Sequence, residues 1–348
     1  MTTATTQTFC RICEAGCGLT VTTDGERVVR IDPDKDHVAS QGFACVKGIR
    51  FGELHHSPDR LDHPMKRVGD DWIEISWEQA LQEIAAKVND IRARHGDDAV
   101  AGYLGNPAAF GALHPTAFHA FMLGLGTTNV YSSASQDLTN KYLVAQRMYG
   151  VPLLQPIPDL DRTEFAMLIG TNPQISQMSV VQAPKATQRL KSIVERGGRV
   201  VHVNPRRTET ARAVGEQVFI RPGTDVFLLA AFLHQLLVDD HVDHDLVREH
   251  TIGFGALAGV VAEWTPERSA EVTGVPADVL RELVSAHAAA DGAVLYASTG
   301  LNMGPHGTLA YWFLNVINVV SGNLDRPGGA VVRTPRLDFP RMMKTTGL

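Results

Sequence analysis

Residues 10–21 read CRICEAGCGLTV, and their cysteines decide how the rest of the chain is read. Cys10, Cys13 and Cys17 follow the pattern C-x2-C-x3-C, and after a gap of 27 residues comes Cys45, the only other cysteine in 348 residues. Zinc sites usually present two close pairs that complete a tetrahedron. Here the grouping is three plus one, the way iron–sulfur clusters are commonly held, with several thiolates in one tight loop and one from elsewhere. Gly16 and Gly18 flank Cys17 and let the backbone wrap closely around a bulky group. The spacing favours a four-iron cluster; zinc and unligated thiols stay open as alternatives.

The rest of the composition narrows the setting. Hydrophobic residues make up 44% and charged residues 20%, with a mean hydropathy of −0.06, as in an ordinary globular protein. A net charge of −6 speaks against nucleic acid or an acidic membrane surface as partner. The opening MTTATTQTF has neither the basic nor the apolar segment of a secretory leader, and no twin arginine. No apolar run reaches the roughly 18 residues of a membrane helix. The expected location is the cytoplasm, where thiols are kept reduced, so metal ligation is preferred over disulfides.

Outward from the cysteines the pattern changes twice. Residues 18–32 alternate apolar and polar around Asp24-Gly25, a hairpin signal, and residues 65–77 suggest a second hairpin. At Ser76 the period becomes helical: a capping box with Gln79 precedes Leu81, Ile84, Ala85, Val88 and Ile91 on one face, ending at Gly96. Beyond it, apolar strands alternate with helices: 165–170, 199–205, 217–222 and 293–299 read as strands, and 183–198, 225–240, 277–290 and 308–322 as helices. That alternation implies parallel, doubly wound sheets. The fold class expected is α/β, with a small β-rich iron–sulfur domain followed by interleaved Rossmann-like domains. The last residues, 333–348, are basic and proline-broken, without a core face.

Residues 42–67, GFACVKGIRFGELHHSPDRLDHPMKR, taken with the cysteine triplet, resemble the N-terminal domain of the molybdopterin oxidoreductases, the family of formate dehydrogenases, nitrate reductases and dimethyl sulfoxide reductase relatives. The resemblance continues through MLIGTNPQISQ at 167–177, VVHVNPRRTETA at 200–211, IRPGTDVFLLAAFL at 220–233 and the stretch 300–330. It implies a [4Fe–4S] cluster on Cys10, Cys13, Cys17 and Cys45, with Lys47 carrying electrons between cluster and pterin. It also implies molybdenum or tungsten held by two pterin guanine dinucleotides. Gly170, Thr171 and Asn172, then Asn204, Pro205 and Arg206, then Arg221, Gly223 and Asp225 occupy the family's strand-to-helix turns and are expected to bind that cofactor. Asn204 stands where relatives often carry Asp. His306 is a further candidate contact; His55, His56 and His63 fall in an ordinary loop. GLGTTN at 124–129 is a weak nicotinamide signal, lacking the third glycine.

In the same alignment NVYSSASQDL places Asp137 at the protein ligand of the metal and Leu138 after it, as in membrane-type nitrate reductases; a competing register makes Ser132 the ligand. A carboxylate suits a high-valent metal that transfers oxygen atoms. Ser135 and Leu138 replace the arginine and histidine of formate dehydrogenases, which speaks against formate oxidation. The implied activity is a two-electron, oxygen-atom-transfer oxidoreductase acting on a small molecule, with electrons relayed through the cluster to a partner protein or subunit. The rival is a non-catalytic electron-transfer or scaffold subunit without molybdenum. Relatives are about twice as long, so the family's C-terminal domain is expected to be absent, or supplied by a separate chain. The expected division is 1–66 as the cluster domain, 67–136 with 300–335 as an α/β domain, 137–299 as the Rossmann-like dinucleotide-binding domain, and 336–348 as a tail.

Overall fold

The computed structural model describes residues 3–332 apart from Ala112, Leu153 and 179–182. The expected 336–348 tail lies outside the described residues. The chain divides into two compact units between Ser135 and Gln136.

In the first unit, strands Thr3–Phe9, Gly18–Asp24 and Arg27–Pro33 form an antiparallel sheet in chain order. The Asp24-Gly25 turn lies where expected, with Gly25 at a φ of 59°. Strand Thr3–Phe9 was not anticipated, because all seven side chains are exposed and no alternation marks it. The second hairpin pairs Met65–Val68 with Asp71–Glu74. Helix Trp77–His95 then begins where the Ser76 hydroxyl accepts from the Gln79 amide at 3.1 Å, and ends at Gly96, φ 84°. Its apolar stripe is uncovered: Leu81 is 62% and Ile84 58% exposed. Parallel strands Gly102–Leu104 and Val130–Ser132, joined through helix His114–Leu125, complete the unit.

The second unit is built on four parallel strands in the order Glu216–Val218, Arg199–Val203, Phe165–Ile169, Ala293–Ala297. Alternate residues of Phe165–Ile169 serve opposite faces. Phe165, Met167 and Ile169 join a core with helices Asp225–Val238, Ala277–Ala289 and Gly307–Val320, while Ala166 and Leu168 pack with Leu190 and Ile193 of helix Ala186–Glu195. Helices 225–238 and 307–320 are apolar nearly all round and accordingly buried. Residues 300–332, grouped from sequence with 67–136, pack in this unit, where helix 307–320 lies against strand 293–297 and helix 225–238.

Candidate cofactor site

The cysteine loop is pinned at both ends by strand pairing. Phe9 lies opposite Gly18, and the Cys10 amide donates to the Cys17 carbonyl at 2.8 Å, so residues 10–17 close like the tip of a hairpin. Cys45 stands at the start of the helical turn Val46–Ile49. Gly48 lets that turn approach, since a Cβ there would sit 3.3 Å from the Cys10 Sγ. Burial pushes the Cys17 thiol up to about 11, and the thiols of Cys13, Cys10 and Cys45 push the same way, so all three lie near Cys17. Burial also raises Cys13, opposed in part by the nearby Lys47. Among the described residues no three ligating side chains are gathered as tightly as one metal ion requires. Four thiols, three in one loop and one at the start of a nearby helical turn, are the donor chemistry that an iron–sulfur cluster takes.

The second unit presents a different edge. Ile169, Val203, Val218 and Ala297 end their strands in register, so the turns after all four emerge together. The chain adds strands to one side of Phe165–Ile169, then crosses to place Ala293–Ala297 on the other. Between those two strands lies a topological switch point, where open α/β sheets form a ligand crevice. Gly170 and Gly300 face each other across it: the Gly300 amide donates to the Gly170 carbonyl at 3.0 Å. A Cβ on Gly170 would meet the Leu301 nitrogen at 2.5 Å. Thr171 Oγ1 and Asn302 Oδ1, one on each turn, are buried with no hydrogen-bond partner. Orphaned buried polar atoms beside close glycine backbones fit a dinucleotide, whose phosphates and hydroxyls would satisfy them.

The other expected residues divide by how they are engaged. The Asn172 side chain is used within the protein: its amide donates to Glu209 at 2.6 Å and its carbonyl accepts from the Thr210 hydroxyl at 2.7 Å. Asn204 Oδ1 accepts from the Arg206 amide, stabilising the turn through Pro205, while the Arg206 guanidinium pairs with Glu209 at 3.1 Å. Arg221 spends its guanidinium on the carbonyls of Glu271 and Val272. Gly223 packs against the Pro305 ring, and burial raises the Asp225 carboxyl. His306, exposed at a φ of 59°, precedes helix 307–320. Ser132 ends strand Val130–Ser132, and Lys47 is exposed on its helical turn.

Asp137 is held at the switch edge by residues that the sequence did not single out. Asn302 donates its amide to the Asp137 carbonyl, Asn140 donates to the Asn302 carbonyl, and Lys141 Nζ donates to the Ala297 carbonyl at 3.2 Å. One signal was available: Lys141 falls on the stripe of Val144, Ala145 and Met148, an apolar helical face.

Family models match nearly the whole chain: the molybdopterin oxidoreductase Fe4S4 domain over residues 3–56 and molybdopterin oxidoreductase over residues 60–334. The thiosulfate reductase molybdopterin-containing subunit PhsA of Salmonella typhimurium is 30% identical, over 94% of this chain and 42% of that protein. The F420-dependent formate dehydrogenase subunit alpha of Methanocaldococcus jannaschii is 25% identical, over 93% of this chain and 46% of that protein. The chain thus spans about half the length of the curated relatives it matches. Acetylene hydratase from Pelobacter acetylenicus shares the fold at a TM-score of 0.79 and 21% identity, over 95% of this chain and 45% of that one. No described helix is long and apolar enough to cross a membrane. With its cysteine loop, its switch-point sheet and a family match over most of its length, the chain belongs to the molybdopterin oxidoreductases, a family that carries a molybdopterin cofactor and a 4Fe–4S cluster.

Proposed function

We propose that the chain is the iron–sulfur and first pterin-binding portion of a molybdenum- or tungsten-dependent oxidoreductase, working on a small molecule by oxygen-atom transfer. The observation that carries this reading is the switch point of the sheet, where Thr171 and Asn302 each bury an unpartnered polar atom beside touching glycine backbones. A bound molybdenum or tungsten bis(molybdopterin guanine dinucleotide) supplies the two-electron chemistry. The chain's own residues bind and orient it. Gly170, Thr171, Asn204, Pro205, Arg206, Arg221, Gly223, Asp225 and His306 line or brace the turns that receive it, and Asn172 ties two of those turns together. Asp137 is the protein ligand of the metal, with Ser132 as the alternative. Cys10, Cys13, Cys17 and Cys45 hold the cluster, and Lys47 keeps a positive charge on the electron path.

The same reading gives the chain a redox protein or subunit as electron partner, a separate chain supplying the rest of the family's length, and a cytoplasmic address. It keeps residues 1–66 as the cluster domain and 137–299 as the core of the dinucleotide domain. The test is expression in a host competent for molybdopterin synthesis, anaerobic purification, and measurement of iron, zinc, molybdenum and tungsten per chain. About four irons with near-stoichiometric molybdenum or tungsten is the expected result. Four irons without either metal favours the electron-transfer or scaffold reading, and zinc in place of iron overturns both.

A further inference from the structure

Lys141 occupies a position built for an apolar side chain. It is 3% exposed, on the same buried face of helix Thr139–Tyr149 as Val144 and Ala145. Its Nζ donates to the carbonyl of Ala297, the last residue of the strand beside the switch point, and lies 5.2 Å from the centre of the Tyr311 ring. Among the described residues no carboxylate forms an ion pair with it; the Asp137 carboxylate, one turn earlier, is the nearby charge that favours its protonated form. Lysines are almost never fully buried unless paired, because the ammonium loses its hydration. Three contacts clasp residues 137–141 to residues 297–302: Asn302 to the Asp137 carbonyl, Asn140 to the Asn302 carbonyl, and Lys141 to the Ala297 carbonyl. Only the last uses an ionised side chain.

We propose that Lys141 is a positioning residue: its buried ammonium holds the segment carrying Asp137 against the 297–302 turn, and does so at the expense of folding stability. The proposal rests on the functional reading above only for what the clasp is for, namely presenting Asp137 at the crevice. Burial lowers the Lys141 ammonium to about 8, so at neutral pH the folded chain carries a charge that it disfavours. Between that value and the ordinary 10.5 of the unfolded chain, the folded state sheds its proton first and stability rises with pH. The groups facing Lys141 are Asp137 from its own segment and Tyr311 from helix Gly307–Val320.

The experiment compares the full chain with Lys141→Met, similar in length but uncharged, and with Lys141→Gln, polar and uncharged. Melting temperature is followed from pH 7 to pH 10, and amide hydrogen exchange over residues 137–141 and 297–302 is followed at pH 7. Lys141→Met is expected to melt above the wild type at pH 7, with the gap narrowing toward pH 10. Exchange in the two clasped segments is expected to be several-fold faster in both variants. A lower melting temperature with unchanged local exchange overturns the proposal and makes Lys141 an ordinary structural residue. A higher melting temperature with unchanged exchange also overturns it, because the charge then holds nothing. Molybdenum, tungsten and guanine nucleotide content are read on the same samples. A wild type devoid of all three defeats the functional reading while the exchange result still decides the clasp.

Discussion

The side-chain amide of Asn172 donates to the Glu209 carboxylate across 2.6 Å, joining the turn after strand Phe165–Ile169 to the turn after strand Arg199–Val203. The Arg206 guanidinium, the backbone at Glu209 and Asn172 together hold the Glu209 carboxyl down to about 2, so it stays ionised throughout the ordinary range. Asn172 therefore braces two neighbouring strand-to-helix turns, while the Thr171 hydroxyl is left without a partner.

Replacing Asn172 with Ala removes its hydrogen bonds to the Glu209 carboxylate and to the amide and hydroxyl of Thr210, and leaves those partners to find water. The loss expected is about 1–3 kcal/mol, because the buried Thr210 is left without its acceptor. Urea unfolding followed by circular dichroism reads it directly. Asn172→Asp should be worse at pH 7, because it sets a second carboxylate against Glu209, and should recover as the pH falls toward 4.

Gly170→Ala drives its new methyl into the backbone of Gly300 and Leu301. Its φ is +58°, and the added Cβ would lie 2.5 Å from the Leu301 nitrogen and 2.7 Å from the Gly300 carbonyl carbon. Strain in the left-handed region and overpacking against atoms that cannot rotate away predict a loss on the order of 3 kcal/mol. Denaturant midpoints of the two proteins give the comparison. An unchanged midpoint would mean that the two turns are not crossed as described.

His287 predicts an acid limit. It is 1% exposed, both its ring nitrogens lack partners, and it packs edge-on against Phe232 and Phe165 at 5.4 and 5.8 Å. Burial, with a smaller push from His241, lowers its imidazole from 6.5 to about 4. As the pH falls through that window the unfolded chain takes up a proton that the folded chain refuses, so stability is lost on acidification. The full effect is about 3 kcal/mol. His202, also lowered by burial, adds in the same direction. His287→Leu should flatten the decline between pH 6.5 and 4 in a series of urea melts; an unaltered slope assigns the acid sensitivity elsewhere.

Much of the architecture was legible locally. Asp24-Gly25 marked a hairpin, Ser76 with Gln79 marked a helix start, and the alternation of apolar strands with helices marked a parallel sheet, because each signal is set by residues within a few positions of one another. Strand Thr3–Phe9 was missed for the converse reason: it is held by pairing with Gly18–Asp24, and none of its side chains is buried to leave a trace. The stripe of Leu81 and Ile84 marked a helix correctly but did not mark a core, since periodicity reports which face is apolar and says nothing of what covers it.

The candidate site was legible in part. Cys10, Cys13, Cys17 and Cys45 announced themselves by spacing, and Gly170, Thr171 and Asn172 by their place after a strand. The order of the four strands, and with it the position of the switch point, was not in any local pattern. Nor were the bonds of Asn140 and Asn302, which join residues 162 and 165 positions apart.

By itself, then, the sequence determined the thiolate loop, most of the secondary structure, the family resemblance and the set of strand-to-helix turns, because composition and short spacing carry those directly. Only the tertiary structure decided that Asn172 is consumed in bracing, that Thr171 and Asn302 are left with unmet polar atoms, and that a lysine lies buried beneath Asp137. Hydrogen-bond satisfaction and desolvation depend on which distant segments meet, and that is settled when the sheet closes its order and the helices cover its faces.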